Sequence, residues 1–171
     1  DGFVVKLNAL NGNLVWAKQF RTSFLVEPGA IAIDAYGNVI TVGHYEGIAD
    51  FDPGAGSLNF SGDGAYITKL DSAGNLIWAK QLAHPASQSP LSSCIAKSLV
   101  LDSLGNVYAT GDFIDTVDFD PGLGNYNLIG DYYGDAFICK LDAAGNFSWA
   151  KPFYGNGNEY GVTIALDASG N

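Results

Sequence analysis

The chain has 171 residues, 47% hydrophobic and 13% aromatic but only 15% charged, with 22 glycines and a formal net charge of −10. That acidity speaks against a nucleic-acid partner, which selects for a basic stripe, and against an anionic membrane surface. No apolar run reaches the roughly 20 residues of a membrane span, so no membrane insertion is expected.

Abundant aromatics and glycines suit many short strands joined by tight turns, not long helices. The first stretch, "DGFVVKL", already reads as a strand. The natural start is therefore expected upstream, and the lack of a leader says nothing about secretion. From Lys6, "KLNALNGNLVWAKQF" is two strands around a turn; from Ile31, "IAIDAYGNVITVG" is a second hairpin, followed by "ADFDPGAG" from Ala49. The series then begins again, with "KLDSAGNLIWAKQL" from Lys69, "LVLDSLGNVYATG" from Leu99, "VDFDPGLG" from Val117, "KLDAAGNFSWAKPF" from Lys140 and "IALDASGN" from Ile164. Two hairpin types alternate, one marked by Trp16, Trp78 or Trp149 and the other by an Asp turn. A unit of about 65 residues holding two hairpins is four strands and their connections.

The turns share one chemistry. Asp-x-x-Gly-Asn occurs at Asp34, Asp71, Asp102, Asp142 and Asp167, and "NALNGN" from Asn8 is a lengthened version. The Asp accepts backbone N–H bonds and the glycine supplies the positive φ that closes the loop, so these aspartates read as structural. With Asp71 paired to Asn75, Leu70 is expected opposite Leu76, Thr68 opposite Trp78 and Tyr66 opposite Lys80. Both faces of this hairpin are then largely apolar and must both be covered. Small sheets stacked face to face around an axis meet that need, so the predicted fold is an all-β β-propeller with four-stranded antiparallel blades. About two and a half blades are present: 1–27 a trailing half-blade, 28–95 and 96–159 full repeats, 160–171 the start of another.

The pattern "LDSLGNVYATGDFIDTVDFDPGLG…DAFICKLDAAGNFSWAK" resembles the SBBP family of β-propeller repeats over nearly the whole chain. That resemblance implies a large secreted or surface-attached bacterial protein, extracellular or at the cell surface, beside adhesion-type modules. A closed propeller needs at least four blades, so the chain is expected to be an excerpt or to need other copies to complete a ring.

Twelve of the fifteen aspartates fall at repeating positions, among them Asp1, Asp63 and Asp135, as do Lys6, Lys69, Lys140, Lys18, Lys80 and Lys151. Charges that recur in every blade are scaffold, and Lys–Asp bridges are expected within or between blades. The three tryptophans are expected to fill gaps between blades. Tyr126, Tyr132, Tyr133, Tyr154 and Tyr160 lie nearer loops and are candidates for an exposed binding surface. Cys94, in the loop-like "SQSPLSSCIAKS", and Cys139, in a packing slot, could pair as a disulfide. His44 and His84 are isolated, and Asp112 takes the place of His44 in the next copy, which favours a solvated or hydrogen-bonded role over a ligand role.

In "DFDPG", Asp50 and Asp52, like Asp118 and Asp120, should share one face of a strand, with Phe51 or Phe119 on the other. These four carboxylates are the candidate metal ligands, for calcium, which wants six to eight oxygens; no other cofactor is indicated. The competing reading is an ordinary turn with proline second and glycine third, its first Asp paired to a repeat lysine. A catalytic pair is disfavoured because neither copy is marked as acid or base. No catalytic residue is assigned, since the non-repeating Arg21, Glu27, Glu46, Asp112, Asp115, Asp131 and Glu159 are scattered in sequence.

The leading functional expectation is thus a non-enzymatic scaffold that binds protein or glycan. The alternatives are a self-assembling fibre or layer, whose partners are neighbouring copies or the missing blades of the same chain, and a hydrolase or lyase with a channel-mouth site.

Overall fold

The computed structural model describes residues 1–86 and 92–170. These hold twelve strands and no helix. Strands β1 (Gly2–Leu7) and β2 (Leu14–Thr22) form a hairpin. Next, β3 (Leu25–Ile33), β4 (Val39–Asp50), β5 (Asn59–Leu70) and β6 (Leu76–Pro85) make an antiparallel meander. A second meander runs through β7 (Ser93–Leu101), β8 (Val107–Ile114), β11 (Asp135–Leu141) and β12 (Phe147–Phe153). Between its second and third strands, β9 (Thr116–Asp118) and β10 (Asn127–Ile129) form a short ribbon. The molecule is therefore two four-stranded antiparallel blades, A (β3–β6) and B (β7, β8, β11, β12), preceded by the outer hairpin of a third. The carboxyl-terminal stretch carries no assigned strand, although the Gly161 N–H donates to the Gly111 carbonyl and holds it along blade B.

Each Asp turn is built as its chemistry requires. Asp34 Oδ1 accepts the N–H groups of Tyr36 and Asn38, and its Oδ2 accepts the Asn38 amide; Asp71, Asp102 and Asp142 repeat the pattern. Asn8 does the same for the lengthened turn, accepting from the Leu10 N–H.

The face assignment drawn from the Asp71–Asn75 pair needs correction. Leu70 does oppose Leu76, but Lys69 opposes Trp78, Thr68 opposes Ala79 and Ile67 opposes Lys80. A β-bulge at the mouth of the hairpin adds one residue to β6, and one extra residue moves every later side chain to the other partner. The same irregularity recurs at Lys6/Leu7 and Lys140/Leu141, so it belongs to the repeat.

Blade A is covered on both faces, as the apolar pattern demands, and its β5 is buried without interruption from Gly64 to Leu70. Blade B turns one apolar face to A, and along β11 Ile138 and Lys140 on its other face are only half-buried. One core, around Phe20, Tyr45, Phe51 and Tyr66, fills the gap between the leading hairpin and blade A. The other, around Ile67, Leu82, Phe113, Phe119 and Phe137, fills the gap between A and B. Trp16 and Trp78 lie across these gaps, whereas Trp149 meets Tyr108 of its own blade edge-on. Trp16 donates from Nε1 to the Ser72 carbonyl of the next blade's turn, and Trp78 covers Gly145, where a Cβ would stand 3.3 Å from ring carbons. Glycine at the turn therefore also leaves room for the preceding indole.

The expected Lys–Asp bridges form within blades: Lys69 Nζ lies 3.0 Å from Asp34 Oδ2, and Lys140 Nζ 4.0 Å from Asp102 Oδ2. Cys94 lies in strand β7, not in a loop, and the centre of the loop-like stretch, 87–91, lies outside the described residues. Cys94 and Cys139 are both buried and both free, and burial pushes each thiol up, Cys139 to about 12.

Candidate functional site

The repeated Asp-Phe-Asp-Pro-Gly stretch closes the far end of a ribbon. In blade A, β4 and β5 stay paired out to Asp50 and Asn59; in blade B the ribbon continues as β9 and β10. Phe51 and Phe119 are buried in the two interblade cores. Asp50 Oδ1 accepts the N–H groups of Asp52 and Leu58, and Asp118 Oδ1 those of Asp120 and Tyr126. Asp52 and Asp120 likewise accept from Gly54 and Gly122. Each first Asp thus holds the loop's own backbone, where the turn reading placed a lysine. Lysine is not needed there because two N–H donors already meet the carboxylate.

Beyond the loop, the ribbon reaches the neighbouring blade. Arg21 and Thr22 of β2 pair with Asp50 and Ala49, and His84 and Pro85 of β6 pair with Asp118 and Val117. The outer strands β2 and β6 are thereby each capped by the ribbon that follows, which removes part of an otherwise open sheet edge.

Most non-repeating polar residues have local tasks. Asp112 pairs with Lys97, Asp131 accepts from Tyr133 and Gly134, and Asp115 accepts from Thr116 at a backbone φ of 64°. Glu46 is different. It lies two residues from His44 on β4, so both project from one face, and it sits directly opposite Asp63 on β5. The ligand atoms of His44, Glu46 and Asp63 all lie within 4.8 Å of one another, the sole such group among the described residues. His44, 5% exposed, brings Nε2 to 3.2 Å from Asp63 Oδ1. Ser93 Oγ, from the first strand of blade B, reaches the same oxygen at 3.5 Å.

Sequence reading missed this cluster because Asp63 was counted with Asp1 and Asp135. In the ladder Gly64 faces Tyr45 as Asp135 faces Phe113, so Asp63 stands one residue out of phase. Counting back from the Lys-Leu pair that ends each of these strands would have exposed the offset. His44 has the hydrogen-bonded role expected of it, and is far from isolated. All five tyrosines reach the surface, Tyr126 the least, since its ring also stacks on Phe147 and its hydroxyl donates to the Ala150 carbonyl.

No protein-family model matches the chain. It is 28% identical, over 195 aligned positions, to an uncharacterized WD repeat-containing protein of Acanthamoeba polyphaga mimivirus, covering 98% of this chain and 14% of that protein. The likeness agrees with the blades seen here. This chain is a partial repeat β-propeller. Its tryptophans are followed by Ala-Lys, not by the Asp of a WD dipeptide.

Proposed function

We propose that the chain is a non-enzymatic propeller segment whose loops present a surface for protein interaction. One observation carries this reading: the repeated aspartates hold the backbone of their own turns and ribbons, and the repeated Phe51 and Phe119 fill the gaps between blades. Likeness to a WD repeat-containing protein supports the same reading. The neighbouring Tyr132 and Tyr133, ring centroids 5.7 Å apart on the loop before β11, offer the rigid amphipathic contacts that interfaces favour. Display at a cell surface, and glycan as an alternative ligand, form part of this proposal on the strength of the SBBP resemblance. Additional blades, from a longer chain or another copy, are proposed to cover the leading hairpin, whose Phe3, Leu14 and Val15 stand exposed.

The test is proximity crosslinking followed by mass spectrometry, comparing the parent chain with a Tyr132→Ala/Tyr133→Ala double variant. Loss of a reproducible crosslinked protein, at unchanged thermal stability, is the expected result. Turnover in a hydrolase screen, or a crosslink pattern indifferent to the tyrosines, would defeat the reading.

A further inference from the structure

The cluster of His44, Glu46 and Asp63 occurs once in a chain where almost everything else occurs twice. Positions matching it in blade B hold Asp112, Ile114 and Gly134, and there Asp112 is taken up by Lys97. We propose that the cluster binds one divalent transition-metal ion of the zinc class, at the junction of the two blades.

Three independent features support this. The first is ligand geometry: an imidazole nitrogen and two carboxylates converge from paired strands. The 3.2 Å between His44 Nε2 and Asp63 Oδ1 is close to the edge of a tetrahedron of ligands about 2.0–2.1 Å from zinc. A turn of the half-exposed Glu46 side chain brings in the third ligand, and the solvent side leaves the fourth position to water. The second feature is charge. Like charges directly opposite across a ladder repel, yet Glu46 faces Asp63, and among the described residues neither forms an ion pair with lysine or arginine. A dication cancels both. The third is outer support, since Ser93 holds the metal-facing oxygen of Asp63 from the next blade, as the groups behind metal ligands commonly do. One nitrogen and two carboxylates suit zinc or a neighbouring first-row ion better than calcium, which seeks six to eight oxygens.

The experiment is calorimetric titration of zinc chloride into the metal-stripped chain. It is repeated with Glu46→Gln, Asp63→Asn and, as a remote acidic control in a turn of blade B, Asp142→Asn, with circular dichroism confirming that each is folded. Glu46 is half-exposed and outside the core, so its variant tests the site without endangering the fold. The proposal expects one zinc per chain, binding weakened about tenfold or more in E46Q and D63N, and D142N indistinguishable from the parent. Cobalt bound in place of zinc should show the visible absorption of a four-coordinate site, lost in E46Q. Absence of one-to-one binding, equal affinity in E46Q, or equal competition by calcium would overturn it.

Discussion

Blades A and B are built on one plan and differ at the bend between blade and ribbon. In A, β4 runs unbroken for 12 residues and turns at Gly47, φ 81°; in B the equivalent residue is Asp115, φ 64°, and the strand splits into β8 and β9. The backbone keeps the same left-handed conformation whichever residue occupies it. Glycine adopts it freely, while aspartate does so with its own carboxylate accepting from the next N–H. Blade A uses its uninterrupted ribbon to bring His44, Glu46 and Asp63 together, and blade B places a three-residue longer loop and two tyrosines there. What the blades share is scaffold. What they do not share is where function should be sought.

The sharpest way to break the shared plan is in the interblade core. Phe119→Ala and Phe51→Ala should each cost about 3–5 kcal/mol, measured by urea denaturation, because each ring is fully buried and packs on other aromatics. An effect under about 1 kcal/mol would mean the gap is not filled as described.

Next come the repeated bridges, which differ between blades. Lys69 and Asp34 side chains are only 10% and 5% exposed, against 23% and 15% for Lys140 and Asp102. Removing one partner of a buried pair strands the other charge, so Lys69→Met should cost about 3 kcal/mol, and Lys140→Met less than about 1 kcal/mol. Equal losses would show that the blades do not differ in this respect.

Acid should expose the same contrast. Burial pulls the Asp34 carboxyl upward, but hydrogen bonds from the Asn38 side chain, Lys69 and the backbone N–H groups of Asn38 and Tyr36 outweigh it and hold it at about 2. A folded pKa below the unfolded value of about 3.9 contributes stability that is complete above that pH. The contribution is lost as pH falls toward 2. Denaturation followed from pH 5 to pH 2 should therefore decline less steeply in K69M than in the parent chain.

The smallest effect lies at the bend itself. Gly47→Asp should cost about 1 kcal/mol, since positive φ is unfavourable for residues with a Cβ and that atom would stand 2.8 Å from Ser23 Oγ. Its counterpart Asp115→Gly should be nearly neutral, as freedom gained at the bend offsets the lost hydrogen bond to Thr116. Thermal melts of both variants, compared pairwise, check the sign of the difference.

The repeat lattice was readable from the residues because duplication prints the same turn and packing chemistry again and again. Asp34, Asp71, Asp102 and Asp142 announce their turns, and Trp16 and Trp78 lie between blades as expected. The register of Trp78 was not readable: a bulge has no composition of its own, and it arises from how the turn fits the twist of its strands. Nor was the partnership of Glu46 with Asp63, residues 17 apart in sequence and joined only by ladder pairing across a long ribbon. Single-copy clusters of that kind depend on register, the property that periodicity specifies least well.

The ribbon that reaches back to its neighbour has a consequence for how such a chain is made. Because β4 docks on β2 and β9 docks on β6, each docking edge precedes its visitor in the sequence. A polypeptide emerging amino end first therefore always finds its template strand already synthesised, and wedges can be added in order without waiting for distant segments. Growth by successive templating also suits long arrays, in which every unit is asked to recognise only the one before it.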